Sequence, residues 1–133
     1  MLNMERIDWE GRSLAYILRA EVSAEKTTFL TPSDYKLQLG FVVYPNGGEV
    51  ARHIHLPIER HLIGTSEVLL VKKGRCEVDI YDTKKQFVTT RELRSGDVLL
   101  LVEGGHGFRM FEDTVFLEIK QGPYTGLEEK ERF

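Results

Sequence analysis

A chain of 133 residues, 41% hydrophobic and 29% charged, has the make-up of a soluble globular protein and is long enough to bury a core without disulfides. A formal charge of -3 with both signs interspersed leaves no basic stripe for nucleic acid, and no segment approaches the run of about 18 apolar residues that spans a membrane. The opening MLNMERIDWEGR has no apolar run followed by a small-residue cleavage site, so a single cytoplasmic domain over residues 1–133 is expected. The one cysteine, Cys76, excludes an internal disulfide and a cysteine zinc cluster; with Val78 and Ile80 on one strand face it reads as a core thiol.

In chain order, the first twelve residues are polar around Trp9, with a turn at Glu10-Gly11, and Leu14 to Leu18 reads as a first strand that covers an outer edge. The stretch AEVSAEKTTFLTPSDY reads mostly as loop, with Thr27 to Leu30 as a candidate strand. Lys36 to Tyr44 alternates, placing Leu37, Leu39, Phe41 and Val43 on one face, and ends at the turn Pro45-Asn46-Gly47-Gly48. Glu49 to Leu56 has strand composition, and LPIERHLIGT after it is a connection interrupted by Pro57 and Gly64. Glu67 to Lys72 and Arg75 to Tyr81 read as a hairpin around Lys73-Gly74, followed by Phe87 to Leu93 after a polar turn. Asp97 to Val102, apolar on both faces, suits a strand in a sandwich interior, and Thr114 to Lys120 is the last strand. From Gly122 the tail is charged and is expected at the surface. About nine short strands with no long helical period indicate an all-β sandwich or barrel.

Three of the four histidines, His53, His55 and His61, fall within nine residues. Strand side chains alternate, so His53 and His55 would project to one face and converge on a cation at roughly 2.0–2.2 Å, given further ligands from a neighbouring strand. His106, at the end of the Asp97 to Val102 strand, is the obvious further donor. The glycines around it in EGGHGF lack the lysine, hydroxyl residue and helix of a phosphate loop, and read as turn residues that aim His106 inward.

These residues resemble the cupin superfamily. Gly47, His53, His55, Glu67 and Gly74 fill the first cupin motif over residues 47–74, and Gly96-Asp97 through His106-Gly107-Phe108 is similar to the second, over residues 96–110. There are departures. Eleven residues separate His55 from Glu67 where the family has three or four, a spacing that Glu59 matches instead; Glu67 is preferred because Gly74 follows it in register. Val102 replaces a proline, the run from Gly104 to His106 is one residue short, and Met110 stands where asparagine is common.

The resemblance implies a jelly-roll β-barrel in which His53, His55, Glu67 and His106 line one end and hold a divalent cation, iron, manganese, nickel or zinc. It implies an enzyme acting on a small, oxygen-rich, carbohydrate-like metabolite by metal-assisted isomerisation or epimerisation, with Glu59 or His61 moving the proton. An iron-dependent dioxygenase and a non-catalytic small-molecule binding or sensing cupin are the alternatives. The apolar face of the histidine strand, Val50, Ile54 and Leu56, needs cover, so a homodimer is expected.

Overall fold

The computed structural model describes residues 3–133. The chain is all-β: a five-stranded and a three-stranded antiparallel sheet, with a short ladder beside them. Strands β1 (Glu5–Trp9) and β2 (Arg12–Leu18) form a hairpin whose turn residues Glu10 and Gly11 both have positive φ, 49° and 77°. That geometry matches the right-handed twist of the flanking strands. β1 takes the sheet edge and leaves β2 inside the sheet, with Ala15 and Ile17 fully buried.

The next segment departs from the sequence pattern. Only β3 (Thr28–Phe29) and β4 (Gly40–Phe41) pair, so the strand expected over Lys36 to Tyr44 is reduced to two residues. Leu37 and Leu39 instead join Tyr35 in covering the outer face of the larger sheet, over Tyr16, Val68 and Leu100. From residue 42 to residue 66 the chain has no regular secondary structure. The expected strand from Glu49 to Leu56 is therefore absent, since no neighbouring backbone pairs with it and an isolated strand cannot satisfy its amides. The turn ahead of it does form, with the Gly48 N–H donating to the Pro45 carbonyl at 2.9 Å.

From Glu67 onward the expected strands are present. β5 (Glu67–Lys73) and β6 (Arg75–Tyr81) do not pair as a hairpin, however. β5 belongs to the larger sheet, ordered β1-β2-β8-β5-β10, and β6 to the smaller, ordered β7-β6-β9. Gly74 is the corner between them: its φ is +96°, and a Cβ there would strike the Asp113 carbonyl and Thr114. β7 (Phe87–Arg94) returns along β6 after a turn in which the Asp82 carboxylate accepts the Lys84 and Gln86 N–H groups. β8 (Val98–Leu101) lies between β2 and β5. Asp97, at its start, accepts bonds from the Ala20 and Arg94 N–H groups and from Arg19. β9 (Gly105–Met110) and β10 (Val115–Lys120) end the smaller and larger sheets.

The inner faces of the sheets bury one core that includes Ile17, Leu69, Val71, Leu99, Cys76, Val78, Ile80 and Leu93. Cys76 is fully buried there, as its strand face requires. At 25 cal/mol per Å² of apolar surface, each of these aliphatic side chains contributes about 1.5–3 kcal/mol. The sheets do not close into a barrel: β9 and β10 are both edge strands. Among the described residues no helix is long and apolar enough to cross a membrane.

Candidate functional site

The candidate site lies at one end of the sandwich, where register decides which side chains turn inward. On β5, Leu69 and Val71 belong to the core, and period-2 alternation gives Glu67 the same face. On β10, Glu118 stands opposite Leu69 and Lys120 opposite Glu67, so both share that face, while Leu117 and Ile119 turn outward. On β9, His106 stands opposite the buried Ile80 and also points inward. The two sheets thus bring His106 Nε2 to 4.0 Å from Glu67 Oε1. The His106 ring meets Phe108 at 5.8 Å between centroids, and Phe108 meets Phe116 at 5.0 Å, which gives the polar group an aromatic wall.

Electrostatics follow from this arrangement, in which Glu67 is half-buried, the His106 side chain partly covered and Glu118 exposed. Burial, then a hydrogen bond with Glu118 and the repulsion of its charge, raises the Glu67 carboxyl to about 7. Glu118 is held below the usual carboxylate range, chiefly by the same hydrogen bond. Glu67 is the member of the pair that takes up a proton as pH falls through neutral, since like charges this close do not both ionise freely. Burial lowers the His106 imidazole, so it is neutral there. Lys120 reaches Glu129 at 3.2 Å, and the Thr125 hydroxyl donates to the same carboxylate at 2.8 Å. Beside Glu67, the Ser66 N–H donates to Gln121 Oε1 at 2.6 Å, while Gln121 Nε2 is buried without a partner.

Of the residues expected from sequence to form the site, the fold brings together Glu67 and His106 only. His53 and His55 lie exposed in the irregular 42–66 segment. Their rings meet edge to face at 5.2 Å, and His53 Nδ1 bonds the Ala51 carbonyl at 2.8 Å. Without a strand, the alternation argument for their convergence has no backbone to act on. Glu59 and His61 are exposed in the same segment. Of the two competing carboxylates, Glu67 is the one beside His106.

Sequence reasoning missed Glu118 and Lys120. The signal was present in FLEIK, where Phe116, Glu118 and Lys120 alternate with Leu117 and Ile119. Polar residues in phase with an inward aromatic are what a strand end lining a site presents.

None of the family models, curated proteins or solved structures compared with this chain matches it. The site is therefore read from its own chemistry. Among the described residues no group of three or more His, Cys, Asp or Glu side chains is arranged to hold a metal ion. One chain supplies two of the four expected donors, fewer than a divalent transition metal takes from a protein. What one chain does assemble is an acid–base group: a carboxyl pair in which Glu67 titrates near neutral pH, 4.0 Å from a neutral imidazole.

Proposed function

We propose that the protein is a cupin-type jelly-roll enzyme that isomerises or epimerises a small, oxygen-rich, carbohydrate-like metabolite by proton transfer at the Glu67–Glu118–His106 end of the sandwich. The single observation that carries this reading is the juxtaposition of two carboxyls with an imidazole from the opposite sheet. A hydroxy-carbonyl compound interconverts through an enediol when one group takes the proton from the carbon beside the carbonyl and another gives a proton to the carbonyl oxygen. The carboxyl pair contains both the ionised base and the protonated acid that this step needs. The neutral His106 donates to, or accepts from, the substrate hydroxyl. The reverse transfer to the neighbouring carbon, or to the other face of the same carbon, completes an isomerisation or an epimerisation. The Phe108 and Phe116 rings reduce water access on one side, which strengthens each hydrogen bond made there.

Solvent exchange tests the proposal directly. Aldoses, ketoses and their phosphorylated and nucleotide-linked forms are incubated with the protein in D2O and followed by proton NMR. A substrate gains deuterium at the carbon beside its carbonyl, and Glu67→Gln and Glu118→Gln each lower that rate about 100-fold or more. A compound that binds with no deuterium incorporation, or exchange that survives both substitutions, would sink the reading.

A further inference from the structure

After β10 the chain turns back over the end of the sandwich that holds Glu67 and His106, and it is tied down on both sheets. At the larger sheet, Lys120 ends β10 opposite Glu67. Its ammonium meets the Glu129 carboxylate at 3.2 Å and the Tyr124 ring at 5.8 Å from the centroid, and the Thr125 hydroxyl donates to the second Glu129 oxygen at 2.8 Å. One turn of 3-10 helix, Gly126–Glu129, sets that spacing. At the smaller sheet, Glu131 pairs with Lys85 in the β6–β7 turn, and the Phe133 ring lies edge-on to Tyr81, 5.0 Å between centroids. Gly105, the residue before His106, permits this approach, since a Cβ there would stand 2.7 Å from the Phe133 ring. Residues 122–133 thus form a strap across the mouth of the site. Lys130, between the two anchors, sits where its charge acts on Glu67, Glu118 and His106 alike.

Glu129 belongs to an exposed turn, yet its side chain is only 18% exposed, and that of Lys120 24%. Such an ion pair stabilises a fold by about 1 kcal/mol at most. Its place matters more. Among the described residues, the ionic and aromatic partners of Lys120 all come from the strap, so lifting the strap bares an ammonium beside the proton-transfer group.

We propose that the strap is an inhibitory cover in which the Glu129 carboxylate holds, on Lys120, the place of the substrate's own anionic group, and that this group is a phosphate monoester on the sugar. Glu129 and the phosphate compete for one ammonium. With Glu129 displaced, Lys120 and Lys130 bring two positive charges to the mouth. A phosphate monoester carries close to two negative charges at neutral pH and three acceptor oxygens, whereas a sugar carboxylate brings one charge. Glu129 is nine residues from Lys120, so it competes at the roughly millimolar effective concentration of a short tether. Free phosphate displaces it poorly. A sugar phosphate that also contacts the Glu67–Glu118–His106 group adds the binding free energy that opens the strap. This substrate class rests on the reading of that group as the functional centre, and the test separates the two.

The full chain is titrated with inorganic phosphate and followed by phosphorus NMR. Glu129→Gln removes the competing charge and is expected to tighten phosphate binding about fivefold; adding Lys120→Gln is expected to reverse that gain. Two further variants separate competition from general charge. Glu112→Gln makes the same charge change in the exposed β9–β10 turn, at the opposite end of the sandwich, and leaves phosphate binding as in the wild type. Lys85→Ala with Phe133→Ala frees the far anchor and lowers the positive charge, yet tightens binding. If Glu129→Gln, with unchanged circular dichroism, binds phosphate no more tightly than Glu112→Gln, the strap is a structural clasp and the proposal falls. Glucuronate that binds the Glu129→Gln chain more tightly than phosphate does overturns the phosphate class. Deuterium exchange is scored apart: its absence beside the expected phosphate results removes the proton-transfer reading and leaves the competition at Lys120, whereas exchange with unaltered phosphate binding does the reverse.

Discussion

Strand β8 and the arm from Val42 to Ile63 are both rich in branched aliphatic side chains, and only the strand is buried. β8 has β2 on one side and β5 on the other; Leu99 and Leu101 enter the core between the sheets, and Leu100 lies under the outer cluster with Tyr16 and Val68. The arm has the same kind of residues, with Ile54 and Ile63 almost entirely in solvent. The difference lies in the neighbours, not in the side chains. An apolar pattern becomes a strand only where another backbone supplies hydrogen bonds and another face supplies packing.

The largest expected effect comes from the buried side of this comparison. Leu99→Ala removes a fully buried side chain that touches both sheets, and is expected to destabilise the chain by about 2–5 kcal/mol. Urea unfolding followed by circular dichroism reads this as a lower midpoint with an unchanged slope. A loss below about 1 kcal/mol would mean that the site collapses easily and that β8 is not the centre of the packing.

That contrast also marks how far the sequence could be read. Alternation and length placed β5 through β8 and β10 within a residue or two, because each packs one face on the shared core and each has a ladder partner. β1 was missed because ERIDW buries only Ile7 and otherwise looks like a polar terminus. The reading of Lys73-Gly74 as a hairpin failed for a different reason. A short polar connection with a positive-φ glycine serves a hairpin and a sheet corner equally well. What selects the corner is the passage of Asp113 and Thr114 over Gly74, which lies far along the chain. In the site, Glu67 and His106 were legible from their spacing to glycines. Glu118 was not singled out, because its significance depends on the pairing of β10 with β5.

A smaller effect sharpens the comparison at the site end, where a charge rather than an apolar group meets the interior. The Glu67 carboxyl is raised to about 7 in the fold against an ordinary value near 4.5. The folded state therefore holds a proton that the unfolded chain releases. Stability from this group is fully present below its unfolded pKa, falls as pH rises towards 7, and stays at its lower level above that. Glu67→Gln removes the ionisation, so with chelator present the variant is expected to be more stable than the wild type above pH 7, by on the order of 1–2 kcal/mol after solvent screening, and equal to it near pH 4. Thermal unfolding across that range would reject the assignment if the two curves ran parallel.

The smallest effect lies on the arm, where the side chain to be removed is already in solvent. Ile63 is 85% exposed, so Ile63→Ser removes almost no contact in the single chain. In dilute protein its unfolding midpoint should match the wild type within about 0.5 kcal/mol. A loss in dilute protein as large as that of Leu99→Ala would instead mean that the arm packs on its own sheets. β8 and the arm would then no longer differ in kind, and the open β9 and β10 edges would be closed within one chain.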